Sequence, residues 1–178
     1  MAYTNINDLN PLVSAATVIQ TAMVSQVFDT ALITSSIVKI AEITHLEKPL
    51  SREFYEELVT QTHNASLTAA NSTLYDDYLL RTLCWFVKLE AMNEIQNNIT
   101  SSGVMTNIDD YSTKVSPQEF NMMKIDVERK ANIFLQDMLD FLNDSVVITN
   151  YPTYQKHAGH SSIINDDSTN KKGGIIFY

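Results

Sequence analysis

The stretch from Thr73 to about Ile99 decides most of what this chain can become. Leu74, Tyr75, Tyr78, Leu79, Leu83, Trp85, Phe86, Leu89, Met92 and Ile95 cover most of the circumference of a helix drawn through it. A helix that is apolar nearly all round has to be surrounded by partners. The fold must therefore be built about this segment, which would be roughly 40 Å long at the α-helical rise. Thr73, with Asp76 three residues on, supplies a variant of the capping box at its start. At 178 residues and 44% hydrophobic, the chain is long enough for one domain to bury such a helix.

The partners are legible as amphipathic segments. Ser116-Pro117-Gln118-Glu119 is a capping box with proline at the first helical position, the strongest local signal in the chain. The helix it opens places Phe120, Met123, Val127, Ala131, Phe134, Met138 and Phe141 at steps of three or four, a seam for another helix that runs to about Asn143. Its other face (Lys124, Asp126, Glu128, Arg129, Lys130, Asp137, Asp140) reads as a solvated charged surface. Upstream, Asp29 to about Leu46 puts Ile33, Ile37, Ile40, Ala41 and Thr44 on one helical face, with Asp29 or Thr30 as cap. Lys48-Pro49-Leu50 should break that helix, because proline disfavours the α conformation in the residue before it. Ser51 then starts a second helix to about His63, with Phe54 or Tyr55, Leu58 and Val59 as its stripe, and Asn64 to Asn71 reads as a polar linker.

The ends differ in composition. Residues 1–28 hold Pro11, many small or β-branched residues and almost no charge, which suits an extended arm or short strand better than a helix. Residues 100–115 form a polar loop, with a small hairpin around Gly103. After Asn143 come Val146-Val147-Ile148-Thr149, Tyr151-Pro152, a polar tract, and a β-branched and aromatic end at Ile175-Ile176-Phe177-Tyr178. The expected fold is mainly α: a bundle of about four helices over 29–145, an N-terminal arm over 1–28 and an extended tail over 146–178.

The chemistry-bearing residues are sparse. Cys84, the single cysteine, lies in the apolar run Leu83-Cys84-Trp85-Phe86-Val87 and reads as a small buried hydrophobe. Glu42-Ile43-Thr44-His45 has the Glu-x-x-His spacing of helical metal sites, but no second pair accompanies it. His157 and His160 sit in the polar tract with no carboxylate held beside them. Phosphate-loop, dinucleotide, nucleophile-elbow and zinc-protease patterns are missing. The expectation is no catalytic residue, no cofactor, no metal and no enzymatic activity. A net charge of −9, without a Lys/Arg cluster, argues against tight nucleic-acid binding. No signal peptide or membrane span is apparent, so the protein is expected in the cytoplasm where it is made.

Several of these features together resemble the head-tail connector (adaptor) proteins of tailed phages, particularly those of Bacteroides phages and the crAss-like group. They are a short helix ending Ala41-Glu-Ile-Thr-His45-Leu, a break, and a helix with Phe54-Tyr55-Glu-Glu-Leu58. The long apolar helix through Leu79 to Ile99 follows, then Ser102-Gly103-Val104-Met105. The capped helix ends Leu139-Asp-Phe141-Leu142-Asn143, and Asn150-Tyr151-Pro152-Thr153-Tyr154 closes the match, which spans most of residues 29–155. Where that family commonly has a Leu-Gly turn after the first helix, this chain has Leu50-Ser51.

The resemblance implies a structural virion protein: a homo-oligomeric ring, usually dodecameric, at the head-tail junction beneath the portal, with DNA passing through the middle and tail or stopper proteins docking below. An acidic body would let DNA slide past, since like charge repels the phosphates. Ser102, Gly103, Val104 and Met105 in the loop, and Ile175, Ile176, Phe177 and Tyr178 at the end, are the expected assembly contacts, the latter as a strand donated to a neighbour. A tail-completion or stopper ring, and a small helical enzyme or regulatory domain, are the competing expectations.

Overall fold

A computed structural model describes residues 10–23, 32–96, 98–100, 103–105 and 116–154. The protein is mainly helical. In chain order the elements are α1 (Ala15–Ala22), α2 (Ser35–Ala41), a π-helical stretch (Glu42–Glu47), α3 (Lys48–Leu50), α4 (Arg52–His63) and α5 (Ala69–Leu74). A second π-helical stretch (Tyr75–Leu79), α6 (Leu80–Gln96), β1 (Asn98–Thr100), β2 (Gly103–Met105), α7 (Pro117–Asn143) and a 3₁₀ turn (Val147–Asn150) complete it.

α6 is the centre, as its apolar circumference requires. Leu83, Cys84, Phe86, Val87, Leu89 and Ala91 are buried, and α7, α1 and α2 pack along the helix. Thr82 is buried too, and its hydroxyl is paired, donating to the Tyr78 carbonyl. The helical run begins earlier than the sequence suggests. Thr68 is the cap, its hydroxyl accepting from the Asn71 amide, and Thr73 lies inside, donating to the Ala69 carbonyl. The expected polar linker thus shrinks to a turn at Asn64–Ala65 and three residues after it.

α7 opens as expected. The Ser116 hydroxyl accepts from the Glu119 amide, and the Glu119 carboxylate accepts from the Ser116 amide. Its seam is shorter than the apolar periodicity implies: Val127, Ala131, Met138 and Leu142 are buried, whereas Met123 is 54% exposed. The first turns stand clear of α6.

Two expectations are corrected here. The region read as an extended arm contains α1, started by Ser14, whose hydroxyl accepts from the Thr17 amide. Val18 and Ala22 pack into the core, together with Leu12 and Val13 just before the helix. Burial against α6 outweighs the weak helix propensity of its β-branched residues. Residues 1–9 and 24–31 lie outside the described residues.

The second correction concerns Pro49. The helix begun at Ser35, capped by Thr34 and not by Asp29 or Thr30, runs on through Lys48-Pro49-Leu50. Proline removes one amide donor and crowds the carbonyl four residues back. The π-helical stretch immediately before it widens the hydrogen-bond pattern, which accommodates such a residue. Of the face expected there, Ile33, Ile37 and Ala41 are buried and Ile40 and Thr44 face out, while Val38, Glu42 and Leu46 also point inward. The chain turns only at Ser51, and α4 begins there as expected, burying Phe54, Tyr55 and Leu58.

The start of the presumed tail is also core. Asp144 accepts from the amides of Val146 and Val147 and turns the chain, and Tyr151 and Tyr154 are then buried. Both rings meet Phe54 edge-on, at 5.7 and 5.8 Å. The body therefore extends to Tyr154, and residues 155–178 lie outside the described residues. β1 and β2 pair antiparallel, with Ile99 opposite Val104.

Candidate interaction surfaces

The most concentrated polar chemistry lies at the start of the first π-helical stretch. Glu42 is fully buried, yet both of its carboxylate oxygens are satisfied. Oε1 accepts from the Leu12 amide at 2.6 Å. Oε2 accepts from Lys39 Nζ at 2.9 Å and from the Tyr55 hydroxyl at 2.8 Å, and Lys39 also donates to that hydroxyl. A buried carboxylate survives only when paired and hydrogen-bonded. Here the pairing fastens the N-terminal segment: Tyr75 donates to the Leu12 carbonyl at 2.5 Å, and Lys88 reaches the Ala22 carbonyl at 2.7 Å. The three side chains grip main-chain atoms at both ends of the segment carrying α1, so they are anchors for a helix.

Glu42 and His45 do not converge on a common point. His45 Nε2 lies 2.8 Å from the Glu90 carboxylate, and its ring stacks on Phe86 with centroids 4.1 Å apart. Among the described residues no group of three His, Cys, Asp or Glu could hold a metal ion. His157 and His160 lie outside the described residues. Cys84 is buried, and desolvation pushes its thiol up to about 11, which removes the thiolate that reactivity requires.

Along the α6–α7 seam, cations and aromatic rings alternate. Lys88 and Lys130 lie over the Trp85 ring, and Arg81 lies between Tyr78 and Phe134 while bonded to Asp137. Burial and the neighbouring Lys130 hold the pKa of the Lys88 ammonium below its ordinary value. Two residues read as part of a solvated face, Lys130 and Asp137, thus tie α7 to α6. Asp126 is held below the usual carboxylate range by Lys130 and Arg129.

Among the described residues, the exposed large apolar side chains lie mostly on α7 and around α2, and Leu32 and Val146, just outside these elements, are exposed as well. On α7, Met122, Met123, Ile125 and Ile133 are exposed. On α2 and the π-helical stretch after it, Ile40 and Ile43 are exposed, and Ile43 lines a shallow cleft with Glu47, Lys48 and Arg52. Helical periodicity pointed to the inward seam of α7 but not to the apolar residues scattered among its outward charges. Of the assembly residues expected from sequence, Gly103, Val104 and Met105 form β2. Ser102 and Ile175, Ile176, Phe177 and Tyr178 lie outside the described residues. Among the described residues no helix is long and apolar enough to cross a membrane.

Residues 46–162 match a family of unknown function, DUF6712, and the chain belongs to that family. The match covers α3 to the 3₁₀ turn, and so includes the central helix and its main partner. No curated protein and no solved structure matches the chain.

Proposed function

We propose that this protein is a structural virion protein, a head-tail connector subunit that forms a ring between the portal and the tail of a tailed phage and guides DNA passage and tail attachment. The observation that carries the reading is the pair of uncovered apolar surfaces on different elements, Met122/Ile125/Ile133 on α7 and Ile40/Ile43 on α2 and the π-helical stretch after it. A closed ring is built by head-to-tail contacts, in which each subunit meets its two neighbours through two different surfaces. Contiguous exposed apolar residues mark such contacts. In this reading the body is a bundle of about four helices, and the chain beyond Tyr154 is its arm.

A detail of the backbone supports the resemblance. Ser51 has φ 67° and ψ 145°, a conformation that glycine adopts most easily, at the point where connector proteins commonly have a Leu-Gly turn. The net charge of −9 suits a channel that DNA passes without binding.

Native mass spectrometry of the purified protein, with and without its portal, tests the reading. A closed ring on the portal is expected, and Ile40→Asp with Ile43→Asp should shift the protein toward monomer. A stable monomer indifferent to the portal would overturn it.

A further inference from the structure

The outward side of α7 carries more than a loose set of exposed residues. Gln118, Glu119, Asn121, Met122, Met123 and Ile125 are all exposed, and Val127 is the first buried residue of the helix. On the side opposite the seam, Met122, Ile125 and Ile133 line a stripe, 71, 63 and 52% exposed in the single chain, with exposed Arg129 one turn from both Ile125 and Ile133. At the α-helical rise this stripe is about 16 Å long. Farther along the same side comes exposed Asp140, followed at the helix end by exposed Asp144. The C-terminal end of a helix is itself electronegative.

The sequence contains a segment with the complementary order: Lys171-Lys172-Gly173-Gly174-Ile175-Ile176-Phe177-Tyr178. In extended form, Lys172 and Ile175 would be about 10 Å apart. Ile133 and Asp140 are separated by about the same distance along α7. A chain running antiparallel to α7 thus brings lysines to the acidic end when its four apolar residues lie over the stripe. The two glycines let the backbone approach the helix closely.

We propose that Lys171–Tyr178 of one copy docks along the outward face of α7 of a neighbouring copy, covering Met122, Ile125 and Ile133 and placing Lys171 and Lys172 near Asp140. The length of the connection permits a neighbour. Tyr154 lies beside Asn143 at the end of α7, so a few residues would suffice to bring the same chain back to Asp140. Residues 155–170 intervene instead, with an extended reach of about 50 Å. The inference rests on the ring reading in one respect, that copies stand side by side; the α2 surface is then left for the body of the other neighbour.

The test is site-directed crosslinking in the full chain. Copies carrying Ile175→Cys and copies carrying Ile125→Cys are co-expressed with different tags and oxidised, and mixed covalent dimers are counted by mass spectrometry. The native thiol, Cys84, is buried and does not compete. Mixed dimers are expected at about tenfold or more over a control with Asn64→Cys in place of Ile125→Cys, because docking raises the local concentration of the pair. Ile133→Glu in the acceptor copy should abolish the excess, with circular dichroism confirming that this exposed substitution leaves the helices intact. No excess over the control, or a bond formed only within a chain carrying both cysteines, overturns the proposal. Native mass on the same samples separates the two readings: a ring without the crosslink overturns the docking alone, whereas the absence of any higher-order species overturns the ring as well.

Discussion

At Ser51 the main chain turns from α3 into α4 with φ 67° and ψ 145°, a region that a Cβ makes costly and that is nearly reserved for glycine. The same residue is buried, and its hydroxyl has no hydrogen-bond partner. Both features should make Ser51→Gly stabilising, by about 1 kcal/mol after the extra chain entropy of glycine is subtracted from the relieved strain. The midpoint of urea unfolding should rise at unchanged slope; a lower midpoint would mean that the hydroxyl contributes a bond to the native state. The strain was not legible in the sequence, because Pro49 two residues earlier offered a more obvious break. Glu42 was hidden for a related reason. Its spacing to His45 suggests a metal pair, whereas it pairs with Lys39 one turn back and with two groups distant in sequence, the Leu12 amide and the Tyr55 hydroxyl. Local spacing carries no record of the two distant contacts.

Elements whose ends are set by local chemistry were the legible ones. The capping box at Ser116 located the start of α7, and the apolar circumference of the segment after Thr73 identified the central helix, which ends at Gln96 and leaves Ile99 to β1. α1 was not legible, because four of its eight uncharged residues, Thr17, Val18, Ile19 and Thr21, are β-branched and favour an extended chain. Its helix exists through burial and through the grip of Glu42, Tyr75 and Lys88 on its flanking main chain. The capping box makes a pH-dependent prediction. Hydrogen bonds from the Ser116 amide and hydroxyl hold the Glu119 carboxyl below its ordinary value of 4.5. A carboxyl depressed in the folded state stabilises it above the unfolded value, and that contribution is lost as pH falls through the folded value. Ser116→Ala should therefore lower stability by roughly 1 kcal/mol at neutral pH, the usual cost of losing a serine cap. Below the ordinary carboxylate value the difference from the parent protein should narrow. Parallel urea titrations at neutral and acid pH measure this, and a deficit that stays constant into acid would separate the cap from Glu119.

At the scale of the whole molecule, the core does not stop at the composition change after Asn143 but takes in Tyr151 and Tyr154. Periodicity could not show this, because Tyr151-Pro152-Thr153-Tyr154 is too short to display a face and leads into a polar tract. Its rings nevertheless complete the core: Tyr151 meets Phe54 and Phe141, and its hydroxyl donates to the Ala70 carbonyl, while Thr153 donates to Glu57. Losing a buried aromatic side chain costs about 3–5 kcal/mol, and two of them would consume most of the 5–15 kcal/mol by which a typical domain is stable. A chain ending after Ser145 should therefore be largely unfolded or insoluble, and its failure to assemble would carry no information about an arm. A chain ending after Tyr154 should keep the helical circular dichroism and melting temperature of the full protein, and should lose only the contacts made between copies. If it melts as low as the shorter chain, residues beyond Tyr154 belong to the core of the same subunit, and neither an arm nor a docked neighbour is needed to account for them.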